Sequence, residues 1–534
     1  MKNLKKLKRY INKTGVISLM ERKNKEWIAI LDFGSQYTQL IARRVREENV
    51  YSEILPYNIP IEKIMKNPPR GIILSGGPSS VYETAAPLCD KRIFDIKIPI
   101  LGICYGAQCI AQILGGKVIT ASQAEYGRME IQVDNGEDIF IDFPKKTICW
   151  MSHQDLIKEI PKGFKRIAYS RNTNAAALKN ENKKIYGVQF HPEVTHTPLG
   201  KKLFHNFLYK ICQCEGNWNL ESFIDQAIRE IKNEVQDKHV VAGVSGGIDS
   251  LVAALLTKKA IGDQLHCIFI NNGVLRKGEA EEVQRVFQEN FNMHLYYIDA
   301  TEQFLYNLKD IVDPEEKRKV IGKEFIKVFE EKAHSIGEVK YLLQGTLYPD
   351  VIESISINGP SSTIKSHHNV GGLPKEMNLK VLEPLRFLFK DEVRKIAEKL
   401  GFPDSVIWRQ PFPGPGLSIR IIGPVDSEKL EILKAADDII NQEIVKKGWY
   451  KKVWQSFGVL LPVKTVGVMG DIRTYDFTLA LRIVVSNDGM TADWAKMPYE
   501  ILGEISNRII NEVKGINRVV YDISSKPPAT IEWE

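Results

Sequence analysis

Twice along its length this chain repeats one pattern, in which short apolar β-like runs alternate with helical runs. In residues 27–210 the β-like segments are "WIAILDFG", "GIILSGGP", "IPILGI" and "KIYGVQF", and helical stretches such as "QLIARRVREENV" and "GAQCIAQILGG" separate them. After "CEGNWNLESFIDQAIREIKNEV", read as a linker and first helix, a second series begins at "HVVAGV" and runs through "LHCIFINNG", "MHLYYID" and "KYLLQGT". Strands alternating with helices imply parallel sheets covered by helices, which leaves few other folds open. Near residue 409 the pattern gives way to "RQPFPGPGL", a hinge rich in proline and glycine. Beyond it, "SIRIIG", "TVGVMGD", "TLALRIVVS" and "INRVVYDIS" read as strands around two helical stretches. The expected fold class is α/β: two consecutive parallel-sheet α/β domains plus a smaller C-terminal α+β domain. A chain of 534 residues has room for three domains of about 150–200 residues each. The expected boundaries are a basic extension over 1–26 and domains over 27–216, 217–409 and 410–534.

Composition narrows the function classes. With 43% hydrophobic and 26% charged residues the chain reads as an ordinary globular protein. Part of its net charge of +7 comes from the first 25 residues, which hold nine Lys/Arg and one Glu. That stretch lacks the apolar core and cleavage site of a signal peptide. It is read as a solvated extension or an early start ahead of Met20, with no nucleic-acid role assigned. No run of about 18 apolar residues occurs, so no membrane span is expected. The seven cysteines are odd in number and dispersed, which argues against a disulfide framework and fits a reducing cytoplasm. Cys212 and Cys214 have no second pair to complete a zinc site and are read as structural.

One constellation carries nucleophile chemistry. In "IPILGICYGAQCIAQILGG" a strand, a tight turn and a helix place Cys104 between Gly102 and Gly106. A sulfur there lies at the helix N-terminus, whose dipole favours thiolate by about 0.3–1 kcal/mol and up to about 2. The small neighbours permit the strained turn of a nucleophile elbow. In "YGVQFHPE", His191 and Glu193 follow an apolar run with one residue between them, so continued strand geometry would point both to one side. A base and its orienting carboxylate would complete a Cys-His-Glu triad. The paired glycines of "LSGGPSSV" leave backbone N–H groups free to hold an oxyanion.

The second constellation is "GVSGGIDSL" (243–251), between a strand and a helix. Ser245, Gly246, Gly247, Ile248, Asp249, Ser250 and Leu251 offer successive N–H groups, two hydroxyls and a helix N-terminus, which together make an anion nest. A Walker loop would carry a lysine for γ-phosphoryl transfer, and this loop has none. It suits a departing pyrophosphate with the α-phosphorus left open to attack. Asp249 is the expected Mg²⁺ ligand, offsetting phosphate charge.

Residues 27–210 resemble the class I glutamine amidotransferases, through "LDFGSQYTQLIARRVRE", "ILSGGPSSV", "GICYGAQ", "SHQD" and "FHPEV" in the usual order. The resemblance implies that Cys104 attacks a glutamine amide, His191 moves the proton and Glu193 holds the imidazole. It also implies that Gly77 and the Tyr105 N–H bind the oxyanion, that Gln108 contacts substrate, and that ammonia is released. The loop is similar to the signature of the ATP pyrophosphatases, which adenylate an oxygen and let nitrogen or sulfur displace AMP. From residue 27 onward the chain resembles glutamine-hydrolysing GMP synthetases. This rests on "DPEEKRKVIGKEF", "QGTLYPDVIES", "HHNVGGLP", "RQPFPGPGL", "GVMGDIRTYD", "MTADWA" and "SKPPATIEWE". That family adenylates xanthosine 5′-monophosphate (XMP), and Arg318, Gln455, Lys526, Ile531 and Glu532 match its XMP contacts. The resemblance also implies XMP, ATP and glutamine as substrates, a homodimer through the C-terminal domain, a glutaminase raised by bound nucleotides, and no nucleic-acid or membrane partner. Other ATP-dependent amidotransferases, chiefly NAD synthetase, share the loop but not the closing "SKPPATIEWE". In "SGGIDS" isoleucine stands where that family often has valine, and Gln410 stands where histidine is frequent.

Overall fold

The computed structural model describes residues 26–291, 293–355, 379–469, 471–486 and 491–534. The motif "HHNVGGLP" and nearly all of the basic extension lie outside them. The chain divides into two compact units, with the boundary between Asn219 and Leu220.

The first unit is built on a nine-stranded sheet in the order β2-β1-β3-β4-β9-β8-β7-β5-β6. Strands β1 (Trp27–Asp32), β2 (Tyr51–Pro56), β3 (Gly71–Leu74), β4 (Ile100–Ile103) and β9 (Ile185–Val188) pair in parallel. Strands β5 (Lys117–Val133), β6 (Lys146–Glu159), β7 (Lys165–Ser170) and β8 (Ala177–Asn180) extend the sheet antiparallel. Every residue of β3, β4 and β9 is buried, as expected of parallel strands covered on both faces. Because these three strands are neighbours and parallel, the loops after Leu74, Ile103 and Val188 emerge side by side at one edge.

The second unit contains a five-stranded parallel sheet in the order β12-β11-β10-β13-β14. These strands are β10 (His239–Gly243), β11 (Leu265–Asn271), β12 (Leu295–Asp299), β13 (Val339–Leu343) and β14 (Lys380–Leu382). The chain leaves β10 toward β11 and returns on its other side as β13. The loop after β10 therefore lies at the switch point where open α/β sheets bind ligands. A four-stranded sheet follows, in which the long hairpin β15 (Gln455–Met469) and β16 (Ile472–Val485) pairs with β17 (Asp493–Trp494) and β18 (Ile516–Tyr521). One apolar core is continuous from Val241 and Ile268 of the parallel sheet to Leu481 and Ile483 of the last one and Ile505 of the helix Tyr499–Glu512.

One expected strand is absent. "SIRIIG" does not extend; Gly416–Arg420 form a 3₁₀ turn. Gly416 has a positive φ of 63°, and a Cβ there would lie 2.3 Å from the Val274 carbonyl oxygen. The Leu417 N–H donates to that same carbonyl at 2.7 Å. The alternation of apolar and polar residues misled because Ser418, Ile419 and Arg420 are all buried, so the run has no wet face. Among the described residues no helix is long and apolar enough to cross a membrane.

Candidate active sites

Cys104 caps the helix Tyr105–Ile113 with φ 49° and ψ −105°, a left-handed conformation that side chains rarely adopt. Its neighbours make the turn possible. A Cβ on Gly102 would meet the Gly106 backbone at 2.6 Å, and one on Gly106 would meet the Leu74 carbonyl oxygen at 2.3 Å. The Cys104 N–H donates to the Val188 carbonyl at 2.7 Å, tying the elbow to β9. Tyr105 is the first helical residue, so its N–H has no acceptor within the helix. Gly77 packs beside it: a Cβ there would lie 3.2 Å from Tyr105 Cγ.

His191 and Glu193 follow β9, which ends at Val188, so neither is in a strand as continued extension would require. Their side chains still meet, with His191 Nδ1 2.7 Å from Glu193 Oε1 and both groups buried. Burial pulls the imidazole pKa down. The Glu193 carboxylate and the Cys104 sulfur push it up and prevail, so His191 is held well above its ordinary value. A raised pKa makes the imidazole a stronger acceptor for the thiol proton. Gln108 is buried, and its Nε2 donates to the Asp155 carbonyl at 2.9 Å. Asp155, in the "SHQD" motif, accepts from Ser80 Oγ at 2.5 Å and Tyr82 Oη at 2.9 Å. These contacts fasten the loop after Gly77 to β6.

In the second unit the loop 245–250 turns at Gly246, which has a positive φ of 73°, and enters the helix Ile248–Ile261 through Gly247. Ser250 Oγ donates to the Gly247 carbonyl at 2.9 Å, and the Gly247 N–H faces Ser245 Oγ at 3.4 Å. Gly345 of "QGTLYPDVIES" passes close by: a Cβ there would lie 3.0 Å from the Asp249 carbonyl carbon.

Two cations that the sequence did not mark reach this loop. Lys390, the first residue of the helix Lys390–Lys399, donates to Asp249 Oδ2 at 2.5 Å across 141 residues of sequence. Arg409 donates to the Gly246 carbonyl at 3.0 Å and pairs with buried Glu279. The loop thus has a lysine after all, delivered by another element. Nothing local distinguishes "FLFKDEV" from an ordinary helix start, so tertiary structure alone exposes it. Asp249 Oδ1 is buried with no hydrogen-bond partner among the described residues. A free carboxylate oxygen beside a phosphate nest fits Mg²⁺, which is usually held by one or two carboxylates together with substrate phosphates and water.

The segment 524–534 is pinned by three cations that are fully buried as side chains. Arg482 donates to the carbonyls of Ser524 at 2.6 Å and Thr530 at 3.0 Å. Arg420 holds Glu532 through Nε at 3.1 Å and Nη2 at 2.9 Å. Lys317 donates to the Ser418 and Ile421 carbonyls and to Glu534 Oε2 at 2.6 Å. Burial pulls its ammonium pKa down more than Glu534 restores it.

Of the residues expected to meet XMP, Gln455 and Glu532 lie together, with Nε2 2.7 Å from Oε1. Ile531 packs beside them against the cluster of Phe457, Val459 and Ala480. Arg318 reaches the same segment by donating to the Glu534 main-chain oxygen at 2.6 Å, and it also pairs with Glu315. Lys526 is half-buried and its backbone pairs with Ala492. The sequence did carry a sign of Lys317, which stands four residues before buried Ile321 on the apolar stripe of its helix.

Three family models match the chain. Residues 29–211 match the family model "Glutamine amidotransferase class-I", residues 219–325 match "NAD synthase" and residues 442–533 match "GMP synthase C terminal domain". The chain is 60% identical over 511 residues to "GMP synthase [glutamine-hydrolyzing]" of Brachyspira hyodysenteriae, covering 96% of this chain and 99% of the relative. It is 56% identical over 510 residues to the protein of the same name in Clostridium tetani, covering 96% and 100%. For that of Gloeothece citriformis it is 55% identical over 524 residues, covering 97% of each. With a thiol elbow, a glycine turn at a helix N-terminus reached by Lys390 and this similarity along nearly its whole length, the chain belongs to the glutamine-hydrolysing GMP synthases, carbon–nitrogen ligases that make GMP with glutamine as nitrogen donor.

Proposed function

We propose that the first unit releases ammonia and that the second adenylates XMP to receive it. Cys104 attacks the carbonyl carbon of the glutamine side-chain amide. The C–N bond breaks, His191 returns a proton to the leaving ammonia, and water cleaves the thioester to glutamate. Glu193 keeps Nδ1 of the imidazole engaged, so that the other nitrogen faces the thiol. The N–H groups of Gly77 and Tyr105 hold the oxyanion, each donor typically worth a factor of about 10²–10³. Gln108 supports the glutamine pocket.

In the second unit the XMP C2 oxygen attacks the α-phosphorus of ATP, and the α–β bond breaks. Ser245, Gly246, Gly247, Ile248, Asp249, Ser250 and Leu251 hold the departing diphosphate, with Lys390 adding charge. Asp249 would hold Mg²⁺, which when bound neutralises phosphate charge. Ammonia then adds at C2 and AMP leaves, giving GMP. Arg318 and Lys526 supply positive charge for the XMP phosphate, while Gln455, Ile531 and Glu532 frame the base.

The observation that carries this is the pairing of a phosphate nest with Lys390 and a free Asp249 oxygen at the switch point of the sheet. Product analysis with XMP, ATP and glutamine should give AMP and diphosphate in equal amounts. ADP and phosphate would overturn it.

The β15–β16 hairpin supports a homodimer. Val466 and Val468 stand on one face of β15, Val466 lies opposite Tyr475, and all three are exposed. Exposed apolar strand faces of this kind are normally covered by a partner. Val468→Asp should halve the sedimenting mass in analytical ultracentrifugation; an unchanged mass would place the interface elsewhere. A cytoplasmic location fits the seven free cysteines, all of them buried.

A further inference from the structure

Between the phosphate loop and Glu532 runs a line of alternating charges. Arg409, on the Gly246 carbonyl, pairs with Glu279. Glu279 also accepts the Arg276 backbone N–H at 2.9 Å. The Arg276 side chain lies 3.0 Å from Asp437 Oδ2, and Asp437 Oδ1 lies 3.7 Å from Arg420 Nη1. Arg420 then grips Glu532 with two nitrogens. The side chains of Glu279, Asp437 and Arg420 are 3%, 4% and 0% exposed, so water screens the inner links little. The aromatic rings of Phe457, 4.0 Å from the Arg420 guanidinium carbon, and Phe412, 5.2 Å away, fix the plane of that arginine.

Burying so many charges is expensive unless each is paired, and cutting one link leaves an uncompensated charge. Apolar packing of the same volume would stabilise the fold at least as well, so stability does not account for the arrangement. Geometry does. A bidentate guanidinium allows a carboxylate one plane and one direction, whereas an ammonium constrains only distance. Glu532 has three donors on it, two from Arg420 and one from Gln455, and Gln455 in turn donates to the Pro411 carbonyl at 3.0 Å. Pro411 is two residues from Arg409, so both ends of the line are anchored on the segment 409–411.

We propose that Arg420 is a positioning residue for the XMP base, aiming Glu532 at it, and that Asp437 holds Arg420 for this task within a charge ladder that begins at the phosphate loop. The inference rests on placing XMP against Gln455, Ile531 and Glu532, and the experiment separates the two ideas.

Ammonium-dependent synthesis is measured on the full-length enzyme, with KM for XMP and for ATP and kcat determined separately. Arg420→Lys keeps the charge and loses the fork. It should raise KM for XMP about 10- to 100-fold, the scale of lost charge-assisted hydrogen bonds, with kcat and KM for ATP within about threefold. Asp437→Asn is nearly isosteric and should move the same constant in the same direction by a smaller factor; it also serves if the lysine variant does not fold. Glu532→Gln is then combined with Arg420→Lys. If the arginine acts through Glu532, the double variant should be little worse than Glu532→Gln alone. Multiplying losses would overturn the positioning role, as would a general fall in kcat without a selective change for XMP. If Glu532→Gln itself leaves KM for XMP unchanged, the XMP placement is what fails.

Discussion

Cys104→Ala should lose glutamine-dependent GMP synthesis by roughly 10⁵–10⁶-fold, the scale seen when a covalent nucleophile is removed, and keep synthesis from ammonium within about twofold. The sulfur sits where no other group can replace it, on a strained turn held at φ 49° and beside an imidazole that its own charge helps to raise. The water-filled site left by alanine has no nucleophile of comparable strength. Ammonium-dependent synthesis bypasses this chemistry altogether, because the loop proposed for adenylation lies in the other unit. Parallel assays with the two nitrogen sources decide the matter. Loss of both activities, in a variant whose thermal unfolding matches the parent, would mean that the two half-reactions are not divided as proposed.

Asp249→Asn should lower synthesis from both nitrogen sources together, by roughly 10²–10³-fold, because adenylation precedes the use of either. The magnitudes separate this from a folding defect. The Asp249 and Lys390 side chains are 27% and 42% exposed, and a pair so open to solvent contributes about 0–1 kcal/mol to stability. A loss of that size would lower Tm by only about 2–4 °C or less. A large fall in kcat with an almost unchanged Tm is therefore the expected signature. The exchange of label between diphosphate and ATP, run with XMP and no nitrogen source, should fall by the same factor. Full ammonium-dependent activity in this variant would remove Asp249 from the adenylation step.

Local chemistry was legible wherever function depends on neighbours in sequence. The elbow at Cys104 needs small residues two positions before and after it, and Gly102 and Gly106 are in those places. The nest at Ser245–Ser250 needs consecutive N–H groups between a strand and a helix, and periodicity reveals such a place. Continued strand geometry would put His191 and Glu193 on one side. They do meet, but in the segment after β9, where the backbone has already left the sheet. The run "SIRIIG" departs from the expected strand for a related reason: alternation signals a strand only if one face is wet, and burial on every side lets the same letters form a 3₁₀ turn.

The α/β class, the elbow at Cys104 and the glycine turn at Ser245–Ser250 were set by the sequence alone, because each strand, helix or turn depends on residues within about ten positions of one another. Tertiary structure decided where the charges go. Lys390 reaches Asp249, Arg420 reaches Glu532 and Lys317 reaches Glu534 across 141, 112 and 217 residues. In the sequence Lys390 and Arg420 look like part of a solvated surface, and Lys317 is marked only by its place on the apolar stripe of its helix. For Arg420 and Lys317 only the folded chain takes the water away, and a cation without water must find a carboxylate or carbonyl wherever the backbone brings one.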